Sequence, residues 1–171
     1  MAEWENPRYF DNSYSPDLEV TKLDLYRLLN QFLASKTLSE LCNADGELNH
    51  AMYTLDPFFE VEATRILLSS AVIARVIDDK HKDLHQYNTK SGILIPNLNE
   101  PENTVDLNLR EACNKIIHAD TIRYDVEVEV QGVTQRYFNP YIYYYGSLGK
   151  KRWKATLNVV DYVKNYTDNI V

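Results

Sequence analysis

Three side chains that could cleave a phosphodiester recur at intervals of four residues. They are Arg110, Asn114 and His118, on a segment whose apolar residues follow a helical period. His118 could withdraw a proton from a ribose 2′-hydroxyl, because histidine gains and loses a proton near neutral pH. Arg110 or Lys115 could hold the phosphate and its developing charge. Polar residues on the outer side of an amphipathic helix are also typical of simple solvation, so the spacing leaves both interpretations open.

The segment 113–118, Cys-Asn-Lys-Ile-Ile-His, resembles the Arg-Asn-x-x-x-His motif of the HEPN superfamily. In this resemblance His118 matches the catalytic histidine and Asn114 matches the polar residue four positions before it, whereas Cys113 stands where the family has arginine. Arg110 lies about 12 Å from His118 along an ideal helix. It could therefore replace the missing arginine only from a partner protomer or through a distorted helix.

The resemblance implies a helical bundle, a homodimer whose two copies flank one cleft, and RNA cleavage without metal or cofactor. It predicts a metal-independent RNA endonuclease of a toxin or defence system, with His118 as the base, Asn114 as the orienting residue and Arg110 or Lys115 as the phosphate clamp. The alternative is a non-catalytic HEPN-like protein, either RNA-binding or a regulatory interaction partner, that has lost the motif arginine. The retained Asn114 and His118 favour the first hypothesis, and Cys113 favours the second.

A second group of candidate residues lies near the carboxyl end of the chain. Tyr141, Tyr143 and Tyr145 alternate along a predicted strand and so share one face. Across the next turn follow Lys150, Lys151, Arg152, Trp153 and Lys154. Aromatic rings beside cations can stack bases and neutralise phosphates, so this group is the predicted RNA-binding surface. The alternative is that the tyrosines pack the sheet and the lysines blunt an exposed hairpin.

The charge distribution restricts any nucleic-acid contact to a local surface. The chain has 171 residues, with 18 Lys plus Arg against 25 Asp plus Glu and a formal net charge of -7. As a whole it repels polyanions, so it is not a non-specific nucleic-acid coat. Residues 140–171 hold 5 Lys plus Arg against 2 Asp, a local +3 that leaves -10 on the remainder. The C-terminal hairpin is therefore the part expected to face a polyanion.

Cysteine usage and hydropathy predict a cytoplasmic protein without membrane contact. Cys42 and Cys113 both sit in apolar patterns, which is typical of reduced thiols. The first residues lack a signal-peptide pattern, and the most apolar stretch, 66–77, is too short to span a bilayer. His81 and His85 have a spacing that can chelate a metal, but a histidine near a helix end needs no metal, and no metal site is predicted.

The elements expected to position these residues are helices first and strands later. Residues 1–16 are predicted to form an N-terminal arm, and 17–171 a single domain. Apolar residues at helical spacing predict helices over 17–35, with a further turn at 39–43, over 56–77 and over 105–119. The polar stretch 83–103, with its short apolar run 93–95, is predicted to be a long loop.

After residue 120 the apolar period changes from 3.6 to 2, which indicates strands. Segments 122–130, 133–138, 141–145 and 152–157 are separated by turn residues and predict an antiparallel meander. A closing amphipathic helix is predicted over 159–170. The predicted fold is therefore α+β: a HEPN-like helical bundle with a C-terminal antiparallel β-meander and a closing helix.

Overall fold

A five-stranded antiparallel sheet carries helices on one face in the computed structural model, which describes residues 16–42, 56–81, 89–130 and 134–171. Within these ranges there are four helices and five strands. The helices are α1 (Leu18–Cys42), α2 (Asp56–His81), α3 (Leu109–Ile117) and α4 (Val159–Asn169). The strands are β1 (Lys90–Ile95), β2 (Val105–Asn108), β3 (Thr121–Val130), β4 (Thr134–Leu148) and β5 (Lys151–Asn158). The α+β class predicted from the sequence is confirmed.

The strands lie in the order β2-β1-β5-β4-β3, with every neighbouring pair antiparallel. The predicted meander is present with three strands, β3-β4-β5, and Gly149 takes a left-handed φ of 61° in the turn between β4 and β5. The segments 133–138 and 141–145, expected to be separate strands, are joined in β4, which continues through Asn139 and Pro140, so the turn predicted there is wrong. On the other side of β5 the chain adds β1 and then the short edge strand β2. The sheet is therefore larger than the sequence predicted.

The two additional strands correct two sequence predictions. The apolar run 93–95, expected within a loop, belongs to β1 and pairs with residues 154–156 of β5. Gly92 allows the close approach, since an added Cβ would collide with the carbonyl oxygen of Thr156. The stretch 105–108, expected to be helical, is β2. Asn108 then caps α3, because its side chain accepts a hydrogen bond from the Glu111 N–H.

The first helix is also longer than predicted. It runs without a break to Cys42, so that residues 39–42 continue α1 and the expected end near Ser35 is wrong. Ser35 is buried, and its hydroxyl accepts a hydrogen bond from the Phe138 N–H at 2.8 Å, which fixes this part of α1 on β4. The predicted N-terminal arm falls almost wholly on residues 1–15, outside the described ranges.

The core lies between the sheet and the helices, and aromatic side chains tie the two layers together. Phe59 of α2 stacks on Phe138 of β4 with ring centroids 4.1 Å apart, and Phe32 of α1 meets Phe59 edge to face at 4.9 Å. The Tyr124 hydroxyl of β3 donates to the Glu60 carbonyl at 3.0 Å. Among the described residues, no helix is both long and apolar enough to cross a bilayer.

Two buried tyrosines differ in whether their hydroxyls are satisfied. The Tyr166 hydroxyl donates to the Ser70 carbonyl at 2.9 Å, whereas the Tyr144 hydroxyl has no hydrogen-bond partner among the described residues. Burial raises the pKa of both phenols, so both stay neutral at physiological pH.

Tyr144→Phe is therefore expected to leave the free energy of unfolding unchanged or to raise it, because it removes an unpaired buried hydroxyl. The matched control Tyr166→Phe should lower it by about 1 kcal/mol, since it removes a made hydrogen bond. Urea denaturation of both variants measures the difference. If Tyr144→Phe lowered the free energy of unfolding as much as Tyr166→Phe does, the Tyr144 hydroxyl would have a hydrogen-bond partner, contrary to the structure.

Candidate functional site

The face of the sheet turned away from the helices, called the open face below, carries the tyrosines that the sequence singled out. Side chains alternate along β4, so that Ile142 and Tyr144 are buried in the core while Tyr141, Tyr143 and Tyr145 lie on the opposite side. Tyr141 is 41% exposed. The structure thus brings the three tyrosines together on one surface, as the alternation predicted.

Basic side chains from both neighbouring strands lie against these rings. In β5, Lys154 is paired in register with Tyr145, and its Nζ lies 4.5 Å from the ring centroid of Tyr143 and 5.8 Å from that of Tyr145. In β3, Arg123 places its Cζ 5.1 Å from the ring centroid of Tyr145. All three distances fall within the range of cation–π attraction. The open face therefore presents aromatic rings and fixed positive charges together.

Arg123 was not among the residues expected from the sequence, although a signal for it exists. It sits on the charged side of the alternating segment 122–130, which is the side that faces away from the core. Its pairing with Tyr143 depends on the register between β3 and β4, which a local pattern does not reveal.

Trp153 is a correction to the predicted surface. It points to the helix side of β5, is 3% exposed, and packs so closely on Gly146 that an added Cβ there would collide with the indole ring. Its ring also lies 4.5 Å from the Nζ of Lys115 on α3. Trp153 is thus a core residue and does not belong to the open face.

The remaining cations of the predicted surface are exposed at one end of the sheet. Lys150 and Lys151 are exposed at the turn between β4 and β5, next to Gly149. Arg152 is exposed on β5, paired in register with Ser147 of β4. Arg152 and Lys154 form the basic end of the open face, called the basic end below, whereas alternation along β5 turns Lys151 to the same side as Trp153.

A carboxylate lies on the open face at the end away from the basic end. Asp125 accepts hydrogen bonds from the Tyr143 hydroxyl at 2.8 Å and from the Asn139 amide at 3.0 Å. The hydrogen bond to Asp125 raises the pKa of Tyr143, because ionising the phenol would put two negative charges in contact. Charge on the open face is therefore graded from the basic end toward Asp125 and Glu127.

The helical stripe predicted to form a nuclease site makes contacts within its own chain. Arg110 donates through Nε to the Asp78 carboxylate of α2 at 2.8 Å, and this carboxylate is 1% exposed. Lys115 pairs with Glu111 at 3.0 Å, and Asn114 donates to Glu111 at 3.4 Å. His118 is exposed at the C-cap of α3, where its backbone N–H donates to the Asn114 carbonyl.

These positions do not bring the predicted catalytic groups together within one chain. Arg110 belongs to the first turn of α3, whereas His118 follows its last turn. Cys113, at the position of the motif arginine, is fully buried and lies 3.9 Å from the Tyr162 hydroxyl. Burial raises the pKa of the Cys113 thiol to about 12, so it remains protonated and unreactive. An arginine at 113 would place a guanidinium in the core.

Among the described residues there is no group of three His, Cys, Asp or Glu side chains arranged to hold a metal ion. The predicted pair His81 and His85 lies outside the residues whose side chains the structure describes. Two candidate sites remain among the described residues. One is the open face, and the other is the polar side of α3 with Arg110, Asn114, Lys115 and His118, called the α3 stripe below.

Arg110→Ala is expected to destabilise the fold by about 1–3 kcal/mol, because it removes a partner from a buried carboxylate. His118→Ala, at an exposed position, should change stability by less than about 0.5 kcal/mol. Thermal melting checks both values, and in an Asp78→Asn background the effect of Arg110→Ala should shrink. If Arg110→Ala were as stable as wild type, the ion pair with Asp78 would not stabilise the fold, and a catalytic role for Arg110 would be favoured instead.

No protein-family model matches this chain, and neither a curated protein nor a solved structure matches it. The chemistry of the open face and of the α3 stripe is therefore the basis for any functional conclusion.

Proposed function

We propose that the protein binds single-stranded RNA through the open face of its sheet. The observation that carries the proposal is the placement of Lys154 and Arg123 against the rings of Tyr143 and Tyr145 on a face that the described helices leave uncovered. Exposed aromatics on a sheet stack unpaired bases, and neighbouring cations neutralise the phosphates that follow them.

The geometry favours a single strand over a duplex. The rings lie on the face of a sheet, and bases that stack on such a surface must be unpaired. Among the described residues no cation lies over the ring of Tyr141, which is the most exposed of the three and offers an open stacking position. RNA is the nucleic acid that the HEPN resemblance of segment 113–118 implies.

Cleavage of the bound RNA is a separate hypothesis, and it stays a prediction. Its support is the HEPN resemblance together with the exposure of His118. Against it stand the ion pair between Arg110 and Asp78 and the buried Cys113. The proposed function is therefore RNA binding without catalysis, which agrees with the alternative hypothesis drawn from the sequence.

Arg152→Glu/Lys154→Glu is expected to weaken binding of a labelled oligouridine of about ten nucleotides by more than tenfold. The slope of log K against log salt should become shallower by about 1.4, since two phosphate contacts are lost. Tyr141→Ala should weaken binding roughly 5- to 150-fold through lost stacking. Fluorescence anisotropy over a salt series measures all three effects.

The matched control is Lys22→Glu/Lys164→Glu, which makes the same charge change on exposed positions of α1 and α4. It should bind the oligonucleotide as wild type does, apart from a small general effect of net charge. An equal loss in this control, or tighter binding of a duplex than of the single strand, would refute the proposed surface. Cleavage of the RNA in chelator by wild type and not by His118→Ala would instead support the nuclease hypothesis.

A further inference from the structure

We infer that two copies of this chain associate through the outer edge of β3 and a neighbouring apolar stripe of α2, joining their sheets into one. The edge strand is the first observation. β3 spans ten residues, Thr121–Val130, and among the described residues it pairs only with β4. A long edge strand presents a row of unpaired backbone donors and acceptors to another strand.

The apolar stripe is the second, independent observation. Phe58, Val61, Leu68 and Val72 lie on one side of α2, with the exposed Arg65 among them, and their exposed fractions lie between 44% and 68%. We call these four residues the α2 stripe. Exposed apolar side chains grouped on one side of a helix are often part of an interaction site.

The N-terminal part of the α2 stripe lies beside the β3 edge. Val61 and Leu68 are three and four residues from Thr64 and therefore neighbour it on the helix surface. The hydroxyls of Thr64 and Tyr124 are 2.7 Å apart, so this side of α2 is in direct contact with β3. The N-terminal part of the α2 stripe is thus next to β3, whereas the rest of α2 continues toward α4 and α3, where Ser70 contacts Tyr162 and Asp78 contacts Arg110.

The identity of the partner follows from the pattern of β3, which is complementary to itself. In an antiparallel pair centred on Tyr124, Arg123 of one copy lies opposite Asp125 of the other, and Ile122 lies opposite Val126. Both faces match in this single register, with opposite charges on the open face and apolar side chains on the helix face. A two-fold axis through this pair repeats each contact, as an isologous dimer requires.

The area available is of the size that a stable dimer needs. Side chains of these types present roughly 150–200 Å² each when fully exposed, so the α2 stripe offers about 400 Å² of apolar surface. A standard interface buries about 800 Å² on each partner. The stripe supplies about half of this, and the paired strands with Ile122 and Val126 add to it.

This interface differs from the dimer expected from the HEPN resemblance, which would use the helix over 105–119. The polar residues of α3 are half-buried by contacts within their own chain, in particular through Asp78 and Glu111. The β3 edge and the α2 stripe have no such contacts with the described residues.

Light scattering on the full chain at tens of micromolar tests the inference. Wild type is expected to have the mass of a dimer, and Val61→Glu/Leu68→Glu the mass of a monomer. The control Leu33→Glu changes an apolar residue on α1 that is about as exposed as Val61, and this variant should stay dimeric. Hydrogen exchange of the β3 amides that point away from β4 should be slow in wild type and at least tenfold faster in the Val61/Leu68 variant.

The register has its own test. Arg123→Asp and Asp125→Arg should each weaken dimerisation, and the double exchange should restore it, with thermal melting used to establish that each variant is folded. A monomeric wild type, a dimer that survives Val61→Glu/Leu68→Glu, or a dimer lost in Leu33→Glu would overturn the inference. These outcomes are independent of RNA affinity, which is measured on the open face.

Discussion

The period-two alternation of β4 and β5 is the constraint on which the rest of the structure depends. A shift of one residue would exchange the core and the open face, because successive side chains point to opposite sides. In β4 this choice is not made by residue type, since Tyr143, Tyr144 and Tyr145 are identical. The observed register buries the apolar Ile142 and Trp153 on the helix side, and there Gly146 packs so closely on Trp153 that it leaves no room for a Cβ. Tyr144 is thereby buried and its two neighbours are left on the open face.

How much of the fold could be predicted depends on whether an element is determined by neighbouring residues or by a partner distant in sequence. The β4-β5 hairpin and the closing helix were predictable because hairpins and amphipathic helices depend on residues close together in the sequence. The turn predicted at Asn139 and Pro140 was wrong, since pairing with β3 continues β4 through this point. Strand β1 was not predictable, since its partner β5 lies some sixty residues later and only that pairing gives the run 93–95 its structure. Strand β2 could not be predicted, because its apolar residues continue the helical spacing of the apolar residues in α3. The capping relation between Asn108 and Glu111 was nevertheless present in the sequence and marks where the helix begins.

Candidate site residues could likewise be predicted only where neighbouring residues determine their position. The three tyrosines of the open face were found because alternation is local, whereas Arg123 was missed because its approach to Tyr145 needs the register with a second strand. Trp153 was grouped with the lysines beside it, although alternation along β5 turns it to the core. In α3, periodicity identified the polar side correctly, but polarity does not distinguish a solvated guanidinium from one that neutralises a buried carboxylate. Arg110 is the second kind, and its partner Asp78 lies on a different helix.

The charge pattern of the open face connects the proposed function with the inferred dimer. An antiparallel pair centred on Tyr124 places the basic ends of the two copies at opposite corners of the joined sheet, because Thr121 of each copy lies near its own basic end and faces Glu127 of the other. The middle of the joined face is then occupied by Asp125 and Glu127 of both chains. A phosphate backbone is repelled by this acidic centre and attracted to either corner. In the inferred dimer, the proposed RNA-binding surface therefore forms two separate sites, one on each copy, rather than one long groove.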